Sequence, residues 1–120
     1  MNTFQIILQL AIGLGILNVW LLRFNQRTPY RGGNATNLKD EFKVYGFPSG
    51  VVYVVGFIKV AAAIALIAGV FYPALVLPAA GILTVFMIVA LLMHLRVKDP
   101  FVKSIPAASI LVMTLLVTMG

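Results

Sequence analysis

Four long apolar stretches dominate the sequence and decide what the chain can fold into. They cover residues 3–22, 51–70, 74–95 and 103–119, and Lys59 is the one charged residue well inside any of them. About 20 apolar residues are enough for an α-helix to cross the roughly 30 Å hydrocarbon layer of a bilayer. The pattern therefore predicts an all-α fold, a transmembrane four-helix bundle that occupies residues 1–120 as a single domain.

The charged residues outside these stretches are sorted into two loops. Eight of the nine Lys and Arg residues fall between Arg23 and Lys43 or between Arg96 and Lys103. The net charge of +6 could indicate nucleic-acid binding, but basic residues that flank apolar spans meet lipid headgroups instead. We therefore expect no nucleic-acid partner. The positive-inside rule places both charged loops, including the loop 23–50, in the cytoplasm and both termini outside.

The first loop contains a shorter helical pattern. Leu38, Phe42 and Tyr45 are spaced i, i+4, i+7, which places three apolar side chains on one helical face. Thr36 or Asn37 can cap the start of this segment. The pattern predicts a short amphipathic interfacial helix on the cytoplasmic membrane surface.

Lys59 is the residue that most invites a functional interpretation. A charged side chain inside a bilayer is costly and often marks a functional site. Lys59 lies eight residues past Val51, which is about 12 Å along a helix, and no span contains Asp or Glu. A lysine side chain reaches only part of that distance, so pairing with Asp40, Glu41 or Asp99 is expected to be difficult unless the loops dip inward.

Three environments for Lys59 stay open at this point. Its side chain can extend to the headgroups, or it can be satisfied by backbone carbonyls, Thr114 or Asn18. It can also bind the polar or anionic head of a ligand, such as a quinone carbonyl or a lipid acid. The candidate ligand-binding residues are therefore Lys59, Asn18, Thr114 and Met87, the last because it falls at a similar depth in the third span.

Three arginines in the first loop form a second candidate. Arg23, Arg27 and Arg31 are spaced by four residues, and Arg31 precedes Gly32-Gly33. Together they could hold a phosphate or another anion. The simpler interpretation is ordinary anchoring at the cytoplasmic headgroups.

Residue counts exclude several kinds of chemistry within this chain. The absence of cysteine excludes disulfides, thiol relays and iron–sulfur clusters bound by cysteine. His94 is the only histidine, so a haem held by two histidines is excluded in one chain, and we expect His94 to be an interfacial anchor. We predict no catalytic residues, because no nucleophile–base arrangement is present. We also predict no metal ligands.

Several short motifs resemble a known family, and together they cover most of the chain. They are Arg31-Gly32-Gly33, Tyr45-Gly46-Phe47-Pro48, Gly56-Phe57-Ile58-Lys59, Met87, Ala90, His94-Leu95 and Asp99-Pro100. These segments are similar to the DoxX family of small four-span bacterial membrane proteins. Lys59 stands where many members have Glu, which resembles the shorter DoxX-like branch.

The resemblance implies a place in a bacterial inner (cytoplasmic) membrane. It also implies a link to membrane redox systems, since the family name comes from a membrane subunit associated with quinone-linked oxidation of sulfur compounds. The cofactor stays open: the resemblance suggests a quinone as one candidate, and the sequence contains no haem or iron–sulfur motif. The resemblance also suggests an accessory subunit of a quinone-linked oxidoreductase and not an enzyme acting alone.

Two functional hypotheses follow. The first is a non-catalytic, homo-oligomeric bundle that binds an apolar ligand, a quinone or a lipid, or that serves a membrane redox partner. The alternative is a small oligomeric transporter or channel. Transporters commonly show inverted repeats or broken helices near the midplane, and neither is evident in the sequence.

Overall fold

The computed structural model describes residues 2–26, 28–48 and 50–119. Within these ranges the chain is helical and contains no strand, which confirms the all-α class. The helices are α1 at Thr3–Leu17, followed directly by a π-helix at Asn18–Leu22, then α2 at Leu38–Val44, α3 at Val51–Ala68, α4 at Val76–Arg96 and α5 at Ile105–Met119. Short 3₁₀ turns at Pro73–Leu75 and Phe101–Ser104 lead into α4 and α5.

Four of the helical segments are long and apolar enough to cross a membrane. They run over Thr3–Leu22, Val51–Ala68, Pro73–Arg96 and Phe101–Met119. Their outer surfaces are also apolar, with Phe57 77% exposed, Leu77 63% exposed and Val85 60% exposed. Water would penalise such a surface and lipid does not, so these segments belong in a bilayer.

Small residues set the distances between the helices. The main contacts join α1 to α3 and α5, and α4 to the same two helices. A Cβ atom on Gly13 would lie 2.5 Å from Cγ1 of Ile67, so α1 can approach α3 closely only with glycine there. Ala63 and Leu83 are completely buried in the resulting core.

The two charged loops share one end of the molecule. Lys103 Nζ donates a hydrogen bond to the carbonyl of Gly33, and the Gly33 N–H donates to Asp99 Oδ1 at 2.9 Å. At the opposite end, Gln5 Nε2 donates to the carbonyl of Val117 at 3.2 Å, which brings the start of α1 beside the end of α5. We refer to the end that holds both loops as the charged end.

The predicted loop helix is present as α2, with Asn37 as its N-cap. Its buried face contains Glu41 in place of Phe42, which the apolar spacing had predicted to be buried. Leu38, Glu41 and Tyr45 are buried, whereas Phe42 is half-buried. An acidic side chain from the first loop therefore points into the protein, and α2 contacts α3.

Candidate functional site

Lys59 lies on the inner side of α3 and is only 8% exposed. Its Nζ atom lies 5.2 Å from the ring centroid of Trp20 and 5.6 Å from that of Phe86. Aromatic faces attract an ammonium ion but do not accept its hydrogen bonds as an oxygen does. The structure shows no hydrogen bond from Nζ to any residue of the described ranges, so the ammonium retains donors for another molecule.

Trp20 reaches this position through an unusual turn. The π-helix widens the end of the first span, and its Arg23 N–H donates to the carbonyl of Asn18 at 3.0 Å, five residues back. A Cβ atom on Gly56 would lie 2.8 Å from the Trp20 ring, so α3 accommodates the indole only because it has glycine there. Phe42 of α2 meets the other side of Trp20 edge-on at 5.8 Å. Single π-turns of this kind are frequent at functional sites.

Glu41 brings a negative charge toward Lys59 from the loop. Its Oε2 accepts a hydrogen bond from the Gly32 N–H at 2.9 Å, and the residue is 8% exposed. Burial raises the pKa of Glu41, while the Gly32 N–H and the charges of Arg31 and Lys59 lower it by smaller amounts. Within the described ranges no ion pair joins Glu41 to Lys59, although the Glu41 side chain is buried.

His94 is buried, whereas the sequence analysis expected it to be an anchor at the membrane interface. Its Nδ1 lies 2.7 Å from Asp99 Oδ2, and Tyr45 packs edge-on against its ring at 5.9 Å. Burial raises the pKa of Tyr45, and the nearby carboxylates of Glu41 and Asp99 raise it further. We call the set Arg31, Glu41, Tyr45, His94 and Asp99 the buried polar cluster.

Arg31 connects the buried polar cluster to the arginine segment of the first loop. It is 5% exposed, and its Nη2 donates to the carbonyls of Arg23 and Gln26. Burial lowers the pKa of Arg31, and the carboxylate of Glu41 opposes that shift. Arg23 is exposed and its side chain contacts Gln26, while Arg27 lies outside the described residues. The structure thus joins Arg31 to the backbone of Arg23.

The other predicted partners of Lys59 lie elsewhere in the core. Thr114 is fully buried, donates to the carbonyl of Leu111 at 2.9 Å and lies 3.0 Å from Thr84 Oγ1. Asn18 is half-buried and begins the π-helix, and Met87 is 5% exposed. No hydrogen bond joins Lys59 to any of these three within the described ranges.

An apolar groove of about 540 Å³ runs along the outside of the π-helix and α3. Trp20 and Phe24 form one wall, and Tyr53, Gly56 and Ile64 are among the residues of the other. Phe24 and Tyr53 stack with their ring centroids 6.0 Å apart at the charged end of the groove. Trp20 therefore borders the groove and also contacts the ammonium of Lys59.

Lys59 forms no ion pair within the described ranges, and the buried carboxyl of Glu41 is held instead by the Gly32 N–H. Such a site suits a polar head with oxygen acceptors, joined to an apolar tail in the groove. Within the described ranges no group of three His, Asp or Glu side chains is placed to hold a metal ion.

The sequence contains only weak signals for the residues that were missed. Glu41 follows Leu38 by three positions, so an i, i+3, i+7 reading of α2 would have placed it beside Leu38 and Tyr45. His94 and Asp99 are five residues apart at the end of α4, which is close enough for contact once the helix ends. Their burial depends on the first loop covering them, and local spacing does not encode that contact.

Comparison with known proteins adds a family. The chain matches the DoxX-like family over residues 33–118, which include Glu41, Lys59, His94 and Asp99. No curated protein and no solved structure matches the chain. The family match covers well over half of the sequence and agrees with the motifs noted above. The chain therefore belongs to the DoxX-like family and is a multi-pass membrane protein.

Proposed function

We propose that this protein binds an amphiphilic ligand, a quinone or a lipid, without transforming it. The observation that carries this proposal is the environment of Lys59. Its ammonium lies between the rings of Trp20 and Phe86 in a side chain that is 8% exposed, and no described residue accepts its hydrogen bonds. A buried donor of this kind is stabilised by an oxygen acceptor, which a quinone carbonyl or a lipid head supplies.

The groove between the π-helix and α3 supports the same proposal for the ligand's tail. It opens toward lipid, so a ligand can enter from the bilayer without crossing water. Trp20 forms part of its wall and also contacts Lys59, which puts the head-binding ammonium beside the apolar channel. An acyl or isoprenoid chain is the natural occupant, because the groove is lined almost entirely by apolar atoms.

The ligand can be identified by mass spectrometry of gently purified protein. We expect one quinone or lipid species to be retained by the parent protein and depleted at least about tenfold in Lys59→Met, since a hydrogen bond to a charged group contributes about 1.5–3 kcal/mol. Lys39→Met is the matched control, because Lys39 is exposed on α2. Identical profiles for all three proteins would contradict the proposal.

A homo-oligomer and a membrane redox partner are part of the proposal. The last span is the least covered by the rest of the chain, with 11% of its window buried against 28% to 33% in the other spans. Its outer face offers room for a second copy or a partner subunit. Native mass spectrometry from lipid nanodiscs tests the oligomer, and a strictly monomeric protein would contradict it.

The competing hypothesis, a small oligomeric transporter or channel, makes a different prediction. A ligand-binding protein should leave ion gradients in proteoliposomes intact. Ion or proton flux that depends on the protein and persists in Lys59→Met would favour the transporter.

A further inference from the structure

A second pocket at the charged end is separate from the Lys59 site. It measures about 430 Å³, and its lining includes Thr28, Arg31, Gly33, Asn34, Thr36 and Lys103. No acidic residue belongs to the lining. Two cations and several polar groups therefore surround a space on the loop side of the protein. We call it the loop pocket.

Arg31 lines the loop pocket and has a side-chain nitrogen, Nη1, that makes no hydrogen bond to a described residue. Its Nε and Nη2 atoms donate to backbone carbonyls of Arg23 and Gln26, which hold the guanidinium in place. Its Nη1 atom makes no hydrogen bond to a residue of the described ranges, and no carboxylate there lies within 4.0 Å of it. A fixed guanidinium with free N–H groups suits the oxygens of a phosphate.

Lys103 supplies the second cation on the opposite side of the pocket. Its Nζ donates to the carbonyl of Gly33 and lies 3.8 Å from Asp99 Oδ1. Asp99 also interacts with His94 and with the Gly33 N–H, so a single carboxylate serves three donors. The charge of Lys103 is therefore only partly compensated, and its side chain is 20% exposed.

The depth of the loop pocket indicates where a ligand would come from. Lys103 is the third residue of the span Phe101–Met119, which places it near the level of the lipid phosphates. The contact between Lys103 and Gly33 brings the first loop to the same level. Cations at this depth attract anionic headgroups.

We propose that the loop pocket binds a phosphate group through Arg31 and Lys103. The shared chemistry is a phosphate anion, carried either by an anionic lipid or by a free phosphate in the cytoplasm. This site does not depend on the ligand proposed for Lys59, and it assigns a role to an arginine that the sequence had singled out.

The test compares the parent protein with Lys103→Gln. Glutamine can still donate to the Gly33 carbonyl but carries no charge. Lys98→Gln is the matched control, since Lys98 is an exposed cation of the same loop that does not line the pocket. Lys59→Met should leave phosphate binding unchanged, which separates this proposal from the ligand proposed above.

Two measurements distinguish the lipid from free phosphate. Native mass spectrometry from nanodiscs of phosphatidylcholine with a minority of phosphatidylglycerol measures the retained anionic lipid. Thermal shifts with inorganic phosphate, against chloride at matched ionic strength, measure binding of the free ion. We expect phosphatidylglycerol retention, or the affinity for phosphate derived from the thermal shifts, to fall about tenfold in Lys103→Gln but not in Lys98→Gln. Equal behaviour of these two variants in both measurements would overturn the proposal.

Discussion

A lysine among membrane-spanning helices needs compensation for its charge, because burying a charged side chain in the bilayer costs several kcal/mol. Two aromatic rings provide part of it, at about 0.5–2 kcal/mol for each favourable contact. The carboxylate of Glu41 provides a further long-range attraction. Neither source accepts a hydrogen bond from Lys59 within the described ranges, so a ligand head remains the missing acceptor in our proposal.

Glu41 gives a prediction at the level of a single residue. Burial raises its pKa above the ordinary value of 4.5, so the ionised form is less favourable in the folded state than in the unfolded chain. The unfolded chain loses this proton at lower pH, and the free energy of unfolding therefore falls as the pH rises from 4.5 through the raised pKa. We expect Glu41→Gln to gain stability relative to the parent protein as the pH increases from 5 to 8.

Thermal melting in detergent across this pH range measures the effect. Asp40→Asn serves as the control, because Asp40 is an exposed acid on the same short helix. A parent protein that becomes more stable than Glu41→Gln at pH 8 would show that ionised Glu41 stabilises the fold, contrary to this account.

The sequence singled out Lys59 as a charged residue inside a span but left its environment open among the headgroups, other protein groups and a ligand head. It did not predict Glu41 or His94 as buried. Their burial requires the first loop to fold over the helix ends, held by the hydrogen bond from Gly32 to Glu41 and that from Gly33 to Asp99. Contacts between residues so far apart in the chain leave little trace in local spacing.

The end of the first span differs from the other membrane-spanning segments because it is a π-helix. The π-helix turns Trp20 toward α3, where Gly56 leaves space for the indole. The result is a wall shared by the apolar groove and the Lys59 site. This arrangement depends on a glycine in a helix interior, where alanine is ordinarily favoured.

Gly56→Ala should therefore destabilise the protein or displace Trp20. The added methyl group would lie 2.8 Å from the indole, and overpacking of this kind costs about 1–3 kcal/mol. Gly15→Ala is the matched control, since no atom lies within 4 Å of a Cβ at that position. Melting temperatures and Trp20 emission spectra report the two effects. Equal stability and equal spectra for both variants would show that Gly56 does not position the indole.

The four apolar stretches of the sequence and the four long helical segments of the structure differ by no more than two residues at either end, because apolar runs of this length favour continuous helices. The predicted stretch 51–70 ends as a regular helix at Ala68, where the chain turns toward Pro73. The π-helix could not be predicted, because the residues Asn18–Leu22 are compatible with an ordinary α-helix. Tertiary packing of Trp20 against Gly56 distinguishes the two.

At the scale of the whole molecule, we propose an orientation in the membrane. Both charged loops lie at one end, and the start of α1 lies beside the end of α5 at the other end. The excess of basic residues in those loops predicts that the charged end faces the cytoplasm.

Cysteine labelling can test this orientation directly, because the native chain has no cysteine. We expect Asn2→Cys to react with a membrane-impermeant thiol reagent on intact cells, and Asn34→Cys to react only after the membrane is opened. Both positions are exposed in the structure, so differences in labelling report the side of the membrane. The reverse pattern would invert the proposed topology.

The central claim is that Lys59 binds the head of an amphiphile, and the single tryptophan provides the most direct measurement. Trp20 lies 5.2 Å from Lys59 Nζ and borders the groove, so a bound quinone or a brominated fatty acid should quench its fluorescence. We predict saturable quenching of the parent protein and of Lys39→Met by at least one of these probes. The dissociation constant should rise about tenfold or more in Lys59→Met. Equal quenching curves for the parent protein and Lys59→Met with both probes would contradict the claim.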